Sequence, residues 1–304
     1  MRTEDVRFDS DGCSLAGTWL AVAEPVAVAL LIPGSGRTDR NSDTPRYKLG
    51  VTKAIAEALA LVGVSTLRYD KRGVGASGGD HLPTGMAQRL TDARAALSWL
   101  TERIPGAPLL VIGHSEGALH ATDLGADDSV AGVAGLVLLS MPAGRGEDVM
   151  VWQTAMLADR LPRAARLITR IAHIDVVRTQ RRNMDRIRAS TEDVIRVQGT
   201  RVAARWLREF MAHDARPALA GITVPVLAIT GAHDLQVPPA DIEVMRELVA
   251  GPFEGHVVDD LSHLLRPDPD RTGARGYRKA VREPVDLEPL ALITDWIIRN
   301  LHHC

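Results

Sequence analysis

The chain has 304 residues and a net charge of −2 at pH 7, so it has no overall positive field that would attract nucleic acid or an anionic membrane. Apolar residues make up 45% and charged residues 24%, as is typical of a soluble globular protein. Aromatic residues make up only 4%, which argues further against a nucleic-acid partner. A chain of this length can bury a large core, and a single α/β domain of this size is common.

The N-terminus has no pattern typical of a signal peptide, because Glu4 and Asp5 come early and no apolar stretch follows them. No apolar run is long enough to span a bilayer, and the run from Val26 to Ile32 has the length of a strand. The two cysteines, Cys13 and Cys304, have neither a metal-binding spacing nor a disulfide framework. We therefore expect free thiols in a reducing cytoplasm, with no membrane span, metal or cofactor.

Apolar patterning along the chain alternates between the periods of strands and helices. The predicted elements in chain order are a β-hairpin over Val6–Asp9 and Leu15–Leu20, a strand Val26–Ile32, a helix Lys48–Leu61, a strand Ser65–Tyr69, a helix Met86–Leu100, a strand Leu109–Ile112, a helix Glu116–Leu124, strands Val133–Leu139 and Ile222–Thr230, a helix Ala240–Leu248, a strand Phe253–Val258 and a helix Leu287–Asn300. This alternation predicts a mainly parallel sheet covered by helices on both faces.

A segment rich in arginine and helical in pattern interrupts this alternation after Pro142. We predict a core of residues 1–141 and 217–304, and a helical cap over 142–216 that covers the carboxyl edge of the sheet. The arginines could steer an anionic substrate, but we favour a solvated face. Apolar cap residues are then expected to pack inward: Leu157, Leu161, Leu167, Ile168 and Ile171. Core packing is also favoured over an acyl pocket for most of Trp152, Met156, Trp206, Phe210 and Met211.

The most informative motif is the G-x-S-x-G run Gly113-His114-Ser115-Glu116-Gly117, which directly follows the predicted strand Leu109–Ile112. A serine on a tight strand-to-helix turn has strained backbone angles, and its flanking residues crowd each other, so glycine fits at Gly113 and Gly117. The turn exposes the hydroxyl beside a helix N-terminus, where free N–H groups can meet an anion. The motif therefore predicts that Ser115 is a nucleophile.

A nucleophilic serine needs a base, and the base needs an acid to orient it. Asp234 lies in a turn just past the strand that ends at Thr230, and His263 follows the strand that ends at Val258. The order serine, aspartate, histidine, each after a strand, predicts a catalytic triad of Ser115, Asp234 and His263. Five other histidines and aspartates are alternatives for the base or the acid and fit these roles less well: His114, His233, His256, Asp259 and Asp260.

Acyl transfer also needs N–H donors aimed at the developing negative charge on oxygen. The residue after the nucleophile, Glu116, is predicted to supply one backbone N–H. The glycine-rich loop after the first buried strand, with Gly34 and Gly36 on either side of Ser35, is predicted to supply the second from the Ser35 amide.

In these motifs the chain resembles the α/β-hydrolase family. More narrowly, Gly34-Ser35-Gly36 with Asp39-Arg40, Tyr69-Asp70-Lys71-Arg72-Gly73 and the elbow over 113–117 resemble a bacterial esterase branch related to serine aminopeptidase-like hydrolases. The resemblance implies an α/β-hydrolase fold and hydrolysis of small-molecule carboxylic esters without cofactor or metal. Many lipases have His-Gly where this chain has Pro33-Gly34, but the oxyanion loop needs only backbone donors. Asp70, Lys71 and Arg72 are expected to brace loops rather than to react.

The hypothesis is therefore a serine hydrolase that cleaves esters of small to medium acyl chains through an acyl-enzyme. The same triad would also serve a thioesterase or an aminopeptidase, and the latter would need an acidic anchor such as Glu147, Asp148 or Glu209. A slow ligand sensor on a hydrolase scaffold is a further alternative. The sequence leaves the acyl length, the leaving group and the oligomeric state open.

Overall fold

The structure, a computed structural model, describes residues 1–160, 175–270 and 279–301, and over these residues its largest feature is an eight-stranded sheet. The strands are β1 (Arg2–Ser10), β2 (Cys13–Ala21), β3 (Ala27–Ile32), β4 (Val64–Tyr69), β5 (Leu109–His114), β6 (Val133–Leu139), β7 (Val194–Val197), β8 (Thr200–Ala203), β9 (Val226–Gly231) and β10 (Phe253–Val258). The helices are α1 (Val51–Leu61), α2 (Met86–Arg103), α3 (Glu116–Gly125), α4 (Gly146–Asp159), α5 (Val176–Arg188), α6 (Ala204–Ala212), α7 (Arg216–Gly221), α8 (Asp241–Leu248) and α9 (Leu287–Leu301).

Strand order in the sheet is β1-β2-β4-β3-β5-β6-β9-β10. The two pairs β1·β2 and β2·β4 are antiparallel, and every later pair is parallel. The hairpin turn between β1 and β2 has positive φ at both Asp11 (49°) and Gly12 (74°). Positive φ at both central residues is what a two-residue hairpin turn of type I′ requires. The predicted N-terminal hairpin and mainly parallel sheet are therefore confirmed.

Helices cover both faces of the sheet because its inner strands are apolar on both sides. On one face α1 and α9 pack with residues such as Ile55 and Trp296, both 2% exposed or less. On the other face α2, α3 and α8 pack with residues such as Leu97, Leu119 and Met245. Within the residues that the structure describes, no helix combines the length and the apolar character needed to cross a bilayer.

The segment between β6 and β9 differs from the predicted all-helical pattern in one respect. Beside its helices it contains an antiparallel hairpin, β7·β8, whose turn residues Gln198 and Gly199 have φ of 49° and 81°. The strands were not predicted because each has only four residues and neither shows the regular alternation of apolar and polar residues that marks a strand. The division into a core of 1–141 and 217–304 and a cap of 142–216 stays a prediction.

Side chains of this segment follow the predicted packing only in part. A small apolar cluster joins α4, α5, α6 and the hairpin, with Met184 and Met211 buried in it. The prediction that Leu157 packs inward is wrong: it is 48% exposed, because apolar residues lie on all sides of α4 and only some of them meet α5 and α6. The other four residues predicted to pack inward lie outside the described residues: Leu161, Leu167, Ile168 and Ile171. Five arginines of α5 are exposed to solvent: Arg178, Arg181, Arg182, Arg186 and Arg188.

Sheet order determines which loops meet at the carboxyl edge. Strand β3 lies between β4 and β5, so the loops that follow these three strands are neighbours. These loops begin at Pro33, Asp70 and Ser115. Strands β9 and β10 end at the same edge because they run parallel to β6, and they bring in the loops with Asp234 and His263.

Candidate active site

The turn between β5 and α3 holds Ser115 in a backbone conformation that non-glycine residues rarely adopt, with φ of 56° and ψ of −119°. Its flanks are as crowded as the motif predicts. A Cβ on Gly113 would come within 2.1 Å of the Gly117 carbonyl oxygen, and a Cβ on Gly117 would come within 2.1 Å of the Ile32 carbonyl oxygen. Only glycine fits at both positions, and this close packing keeps Ser115 at the tip of the turn.

His263 and Asp234 form a buried pair across two loops. The His263 Nδ1 and Asp234 Oδ2 atoms are 2.8 Å apart, and the two residues are 4% and 3% exposed. The other carboxylate oxygen, Oδ1, accepts hydrogen bonds from the amides of Gln236 (2.7 Å) and Val237 (3.0 Å). Both oxygens of Asp234 are thus engaged, and the imidazole is held in a single orientation.

Ser115 and His263 line the same cavity, together with Ser35 and Gly34. Its volume is about 160 Å³, and the other residues that line it are Thr38, Ser42, Thr44, Leu49, Val51, His114, Gln236 and Leu264. Because Nδ1 of His263 faces Asp234, Nε2 is the ring nitrogen left to act in the cavity. The three residues of the predicted triad therefore come together at one site although 148 positions separate the first from the last in sequence.

His114, inside the elbow motif, lies against the site without taking the role of the base. Its Nε2 is 2.8 Å from the carbonyl oxygen of His263, and the two rings pack with centroids 5.0 Å apart. Burial, and then the nearby imidazole of His263, lower the pKa of His114 to about 3. His114 is therefore neutral near pH 7 and serves to pack and orient the loop that carries His263.

The remaining alternatives for acid and base have other partners. His233 Nδ1 is 2.7 Å from the carbonyl oxygen of Asp268, and His256 Nε2 is 2.8 Å from a carboxylate oxygen of Glu254 on the same strand. Two carboxylates weighed as substitutes for Asp234 are exposed on the turn after β10: Asp259 and Asp260. Of the predicted rivals, only His114 touches the cavity.

Two backbone amides at the site have no acceptor among the described residues. No hydrogen bond within this part of the chain uses the N–H of Ser35 or of Glu116. The loop carrying Ser35 lies directly over the elbow, since a Cβ on Gly34 would be 3.3 Å from Cβ of Ser115. Amides without an acceptor beside the turn that carries Ser115 are available as hydrogen-bond donors to a ligand in the cavity.

The carbonyl of Gly34 accepts hydrogen bonds from two side chains. Thr38 Oγ1 donates to it at 2.9 Å and Lys71 Nζ at 2.5 Å. Lys71 is 5% exposed. Burial, opposed by the charge of Glu116 and aided by that of Arg89, lowers the pKa of Lys71 to about 7.

The two neighbours of Lys71 have the contacts expected of residues that brace loops. Asp70 accepts hydrogen bonds from the backbone and the guanidinium of Arg40, each at 2.8 Å. Arg72 donates to the carboxylate of Asp92 at 2.8 Å. These buried pairs hold the loops after β3 and β4 in position at the edge of the sheet.

A buried charged cluster beneath the elbow was not predicted. The side chain of Glu116 accepts hydrogen bonds from Arg89 on α2 at 2.9 Å and from the indole N–H of Trp206 on α6 at 2.8 Å. Burial by itself would raise the pKa of Glu116, but Arg89, His120 and Lys71 together lower it well below its usual value. The sequence signals neither partner, because Arg89 and Trp206 are 27 and 90 positions away from Glu116.

The same segment, between β6 and β9, also touches the loop that carries the acid. Gln153 on α4 donates to the carbonyl of Gln236 at 2.7 Å, two positions beyond Asp234. Phe210 and Met211 on α6 are buried, as core packing predicts, while Trp152 and Met156 are half-buried.

Across residues 1–160, 175–270 and 279–301, no group of three or more His, Cys, Asp or Glu side chains is arranged to hold a metal ion.

Comparison with known families gives a match over most of the chain. A family model described as serine aminopeptidase, S33, matches residues 48–270. The esterase EstD of Thermotoga maritima is 25% identical over 282 residues, which is 90% of this chain. The chain spans 63% of the length of that esterase.

Solved structures with the same architecture cover nearly the whole chain. Est1E from Butyrivibrio proteoclasticus, solved with ferulic acid bound, has a TM-score of 0.66 at 16% identity and covers 98% of this chain and 99% of its own. The Pyrococcus furiosus esterase Pf2001 has a TM-score of 0.63 at 18% identity, with 99% and 91% covered. The α/β hydrolase GrgF from Penicillium sp. sh18 has a TM-score of 0.65 at 16% identity, with 99% and 100% covered. At these identities the likeness shows a shared fold, the α/β-hydrolase fold.

Proposed function

The chain belongs to the serine aminopeptidase S33 family of α/β hydrolases, and from this membership we propose that it is a carboxylesterase with Ser115 as its nucleophile. His263 is the general base and then the general acid, and Asp234 orients it. The observation that carries this proposal is the cavity shared by Ser115 on its strained turn and His263, whose other ring nitrogen is 2.8 Å from a buried carboxylate.

In the proposed reaction Ser115 Oγ attacks the ester carbonyl while His263 Nε2 takes the hydroxyl proton. A C–O bond forms, and the carbonyl π electrons move onto oxygen, which the amides of Ser35 and Glu116 stabilise. Collapse of this intermediate breaks the bond to the alcohol, which leaves with the proton from His263. Water then attacks the acyl-enzyme by the same route, releasing the acid and restoring Ser115.

Contacts of the acidic residues favour an esterase over an aminopeptidase. An aminopeptidase needs a carboxylate that is free to bind the substrate amine. Glu209 already accepts hydrogen bonds from the Ala87 amide and from Arg205, each at 2.9 Å. Glu147 pairs with Arg188 at 2.8 Å. Asp148 is exposed, and it does not line the cavity that contains Ser115. Aryl esters should therefore be cleaved with a far higher kcat/KM than the corresponding aminoacyl arylamides.

The volume of the cavity supports substrates with short acyl groups. The site volume of about 160 Å³ is well below the 300–1,000 Å³ typical of pockets for drug-sized ligands. We expect p-nitrophenyl acetate and butyrate to be hydrolysed with a higher kcat/KM than the decanoate ester, because a ten-carbon chain does not fit within a cavity of this volume. Equal kcat/KM values across the series would contradict the assignment of short acyl substrates.

Replacement of the nucleophile tests the proposal directly. Ser115→Ala should lower kcat for p-nitrophenyl butyrate by about four orders of magnitude or more, because no other group can form the acyl-enzyme. Labelling by a fluorophosphonate probe should be lost as well. Ser98→Ala, a change at an exposed serine on α2, is the matched control and should keep both activity and labelling. Undiminished hydrolysis by Ser115→Ala would refute the proposal.

The same proposal includes a small-molecule ester as partner and a cytoplasmic location. The free, buried thiol of Cys13 and the net charge of −2 support it. Cys304, the other cysteine of the predicted thiol pair, lies outside the described residues. Fractionation of the source cells, with the activity measured in each fraction, tests the location.

A further inference from the structure

The carbonyl of Gly34 and the amide of Ser35 belong to one peptide unit, and the orientation of one determines that of the other. The peptide is trans and planar, so its C=O and N–H point in opposite directions. The carbonyl is held on one side by Thr38 Oγ1 and Lys71 Nζ. The Ser35 N–H therefore points away from Lys71, and Ser35 lines the cavity that contains Ser115.

The backbone at Gly34 is free enough for this restraint to matter. The peptide between Gly34 and Ser35 rotates about ψ of Gly34 and φ of Ser35, and Gly34 has no Cβ that would restrict the first of these angles. Rotation of the peptide by half a turn would aim the carbonyl oxygen, rather than the N–H, at the developing oxyanion. Two hydrogen bonds to the Gly34 carbonyl oppose that rotation, and the bond from Lys71 is the shorter.

Lys71 is placed for this purpose by the order of the strands. It follows β4, which lies next to β3 in the sheet, so the loop that carries it adjoins the loop that carries Gly34. The side chain is buried at 5% exposure, which is costly for an amine unless a partner compensates. The Gly34 carbonyl is the hydrogen-bond acceptor that it meets among the described residues.

We propose that Lys71 is a positioning residue for catalysis: by holding the Gly34 carbonyl, with help from Thr38, it aims the Ser35 N–H at the oxyanion. This inference rests on the proposed esterase function. Lys71 does not touch the substrate, and its contribution appears only when negative charge develops on the carbonyl oxygen. It should therefore change binding of the transition state and leave binding of the ester ground state alone.

The test compares a tetrahedral analogue with a ground-state ligand. Lys71→Met should lower kcat/KM for p-nitrophenyl butyrate roughly tenfold, the value of one hydrogen bond, and weaken the binding of butylboronic acid by a similar factor. KM for the ester and Ki for neutral butyramide should stay within about twofold, because neither carries the negative charge that develops on the carbonyl oxygen. Thr38→Val, which removes the second bond, should show the same split with a smaller loss.

Thr52→Val is the matched control. Its hydroxyl also donates to a backbone carbonyl of the same loop, that of Arg40, at 2.7 Å, but away from Gly34. This variant should leave the ratio of boronate to butyramide affinity unchanged. The inference is overturned if Lys71→Met, folded as judged by its melting temperature, keeps its boronate affinity, or if boronate and butyramide affinities fall together. Absence of ester hydrolysis or of Ser115 labelling in the unaltered protein would instead refute the proposed function.

Discussion

At the residue scale, the carboxylate of Asp234 has hydrogen-bond partners at both of its oxygens. Its Oδ1 accepts hydrogen bonds from two backbone amides, those of Gln236 and Val237, and its Oδ2 faces Nδ1 of His263. The amides hold the carboxylate still, so that it selects the histidine tautomer with a proton on Nδ1. Nε2 is then unprotonated and able to accept the proton of Ser115.

Asp234→Asn should lower kcat about 10⁴-fold with little change in fold. An asparagine keeps Oδ1 on the two amides and so turns its NH₂ group toward His263. That group donates to Nδ1 and moves the histidine proton to Nε2, where it blocks the attack by Ser115. Steady-state kinetics on p-nitrophenyl butyrate measure the loss. Asp260→Asn, at an exposed position, should retain activity. A comparable loss of activity in that variant would identify Asp260, rather than Asp234, as the acid of the triad.

At the scale of elements, three helices meet at the carboxylate of Glu116. Glu116 begins α3, Arg89 comes from α2 and Trp206 from α6, and Arg89 also lies over the Trp206 ring at 5.5 Å. A buried charge pair of this kind is a strong link between elements only while both charges are present. It joins the segment between β6 and β9 to the turn that carries Ser115.

A double-mutant cycle measures that link. Arg89→Met should cost about 3–5 kcal/mol of unfolding free energy, because it leaves the carboxylate of Glu116 buried without its cation. Combining it with Glu116→Gln removes the stranded charge, so the double variant should be more stable than Arg89→Met alone. Urea unfolding gives each value. Additive losses from the two substitutions would show that the pair is not coupled.

At the scale of the whole molecule, the burial of Lys71 makes stability depend on pH. Burial lowers the pKa of Lys71 from an ordinary 10.5 to about 7, against the attraction of Glu116 and with the repulsion of Arg89. Between these two values the unfolded chain binds a proton that the folded chain does not. The contribution of Lys71 to the free energy of unfolding therefore rises with pH between these two values and is constant below them.

Urea unfolding of the unaltered protein and of Lys71→Met at pH 7, 8 and 9 tests this linkage. The stability of the unaltered protein should increase relative to the variant, by at most about 1.4 kcal/mol per pH unit. Lys53→Met removes an amine that is 56% exposed and is the control for loss of a positive charge. A constant difference between the unaltered protein and Lys71→Met would show that Lys71 does not titrate in this range.

Prediction from sequence succeeded where a signal is local. The strands β3, β5 and β6 are continuous apolar runs, and Gly113 and Gly117 are required by contacts within the turn itself. It failed for the hairpin β7·β8, where two four-residue strands of mixed polarity carry no periodic signal. It also failed for Leu157, because α4 has no single apolar face for a pattern to reveal.

The sequence by itself determined the α/β-hydrolase fold, the elbow at Ser115 and the order of candidates that places Asp234 and His263 after later strands, since each of these depends on neighbours along the chain. Tertiary structure decided which distant side chains meet. It brought Lys71 to the carbonyl of Gly34, 37 positions away, and Trp206 to the carboxylate of Glu116, 90 positions away. The physical reason is that adjacency at a sheet edge depends on strand order, and a hydrogen bond between loops leaves no trace in local composition or periodicity.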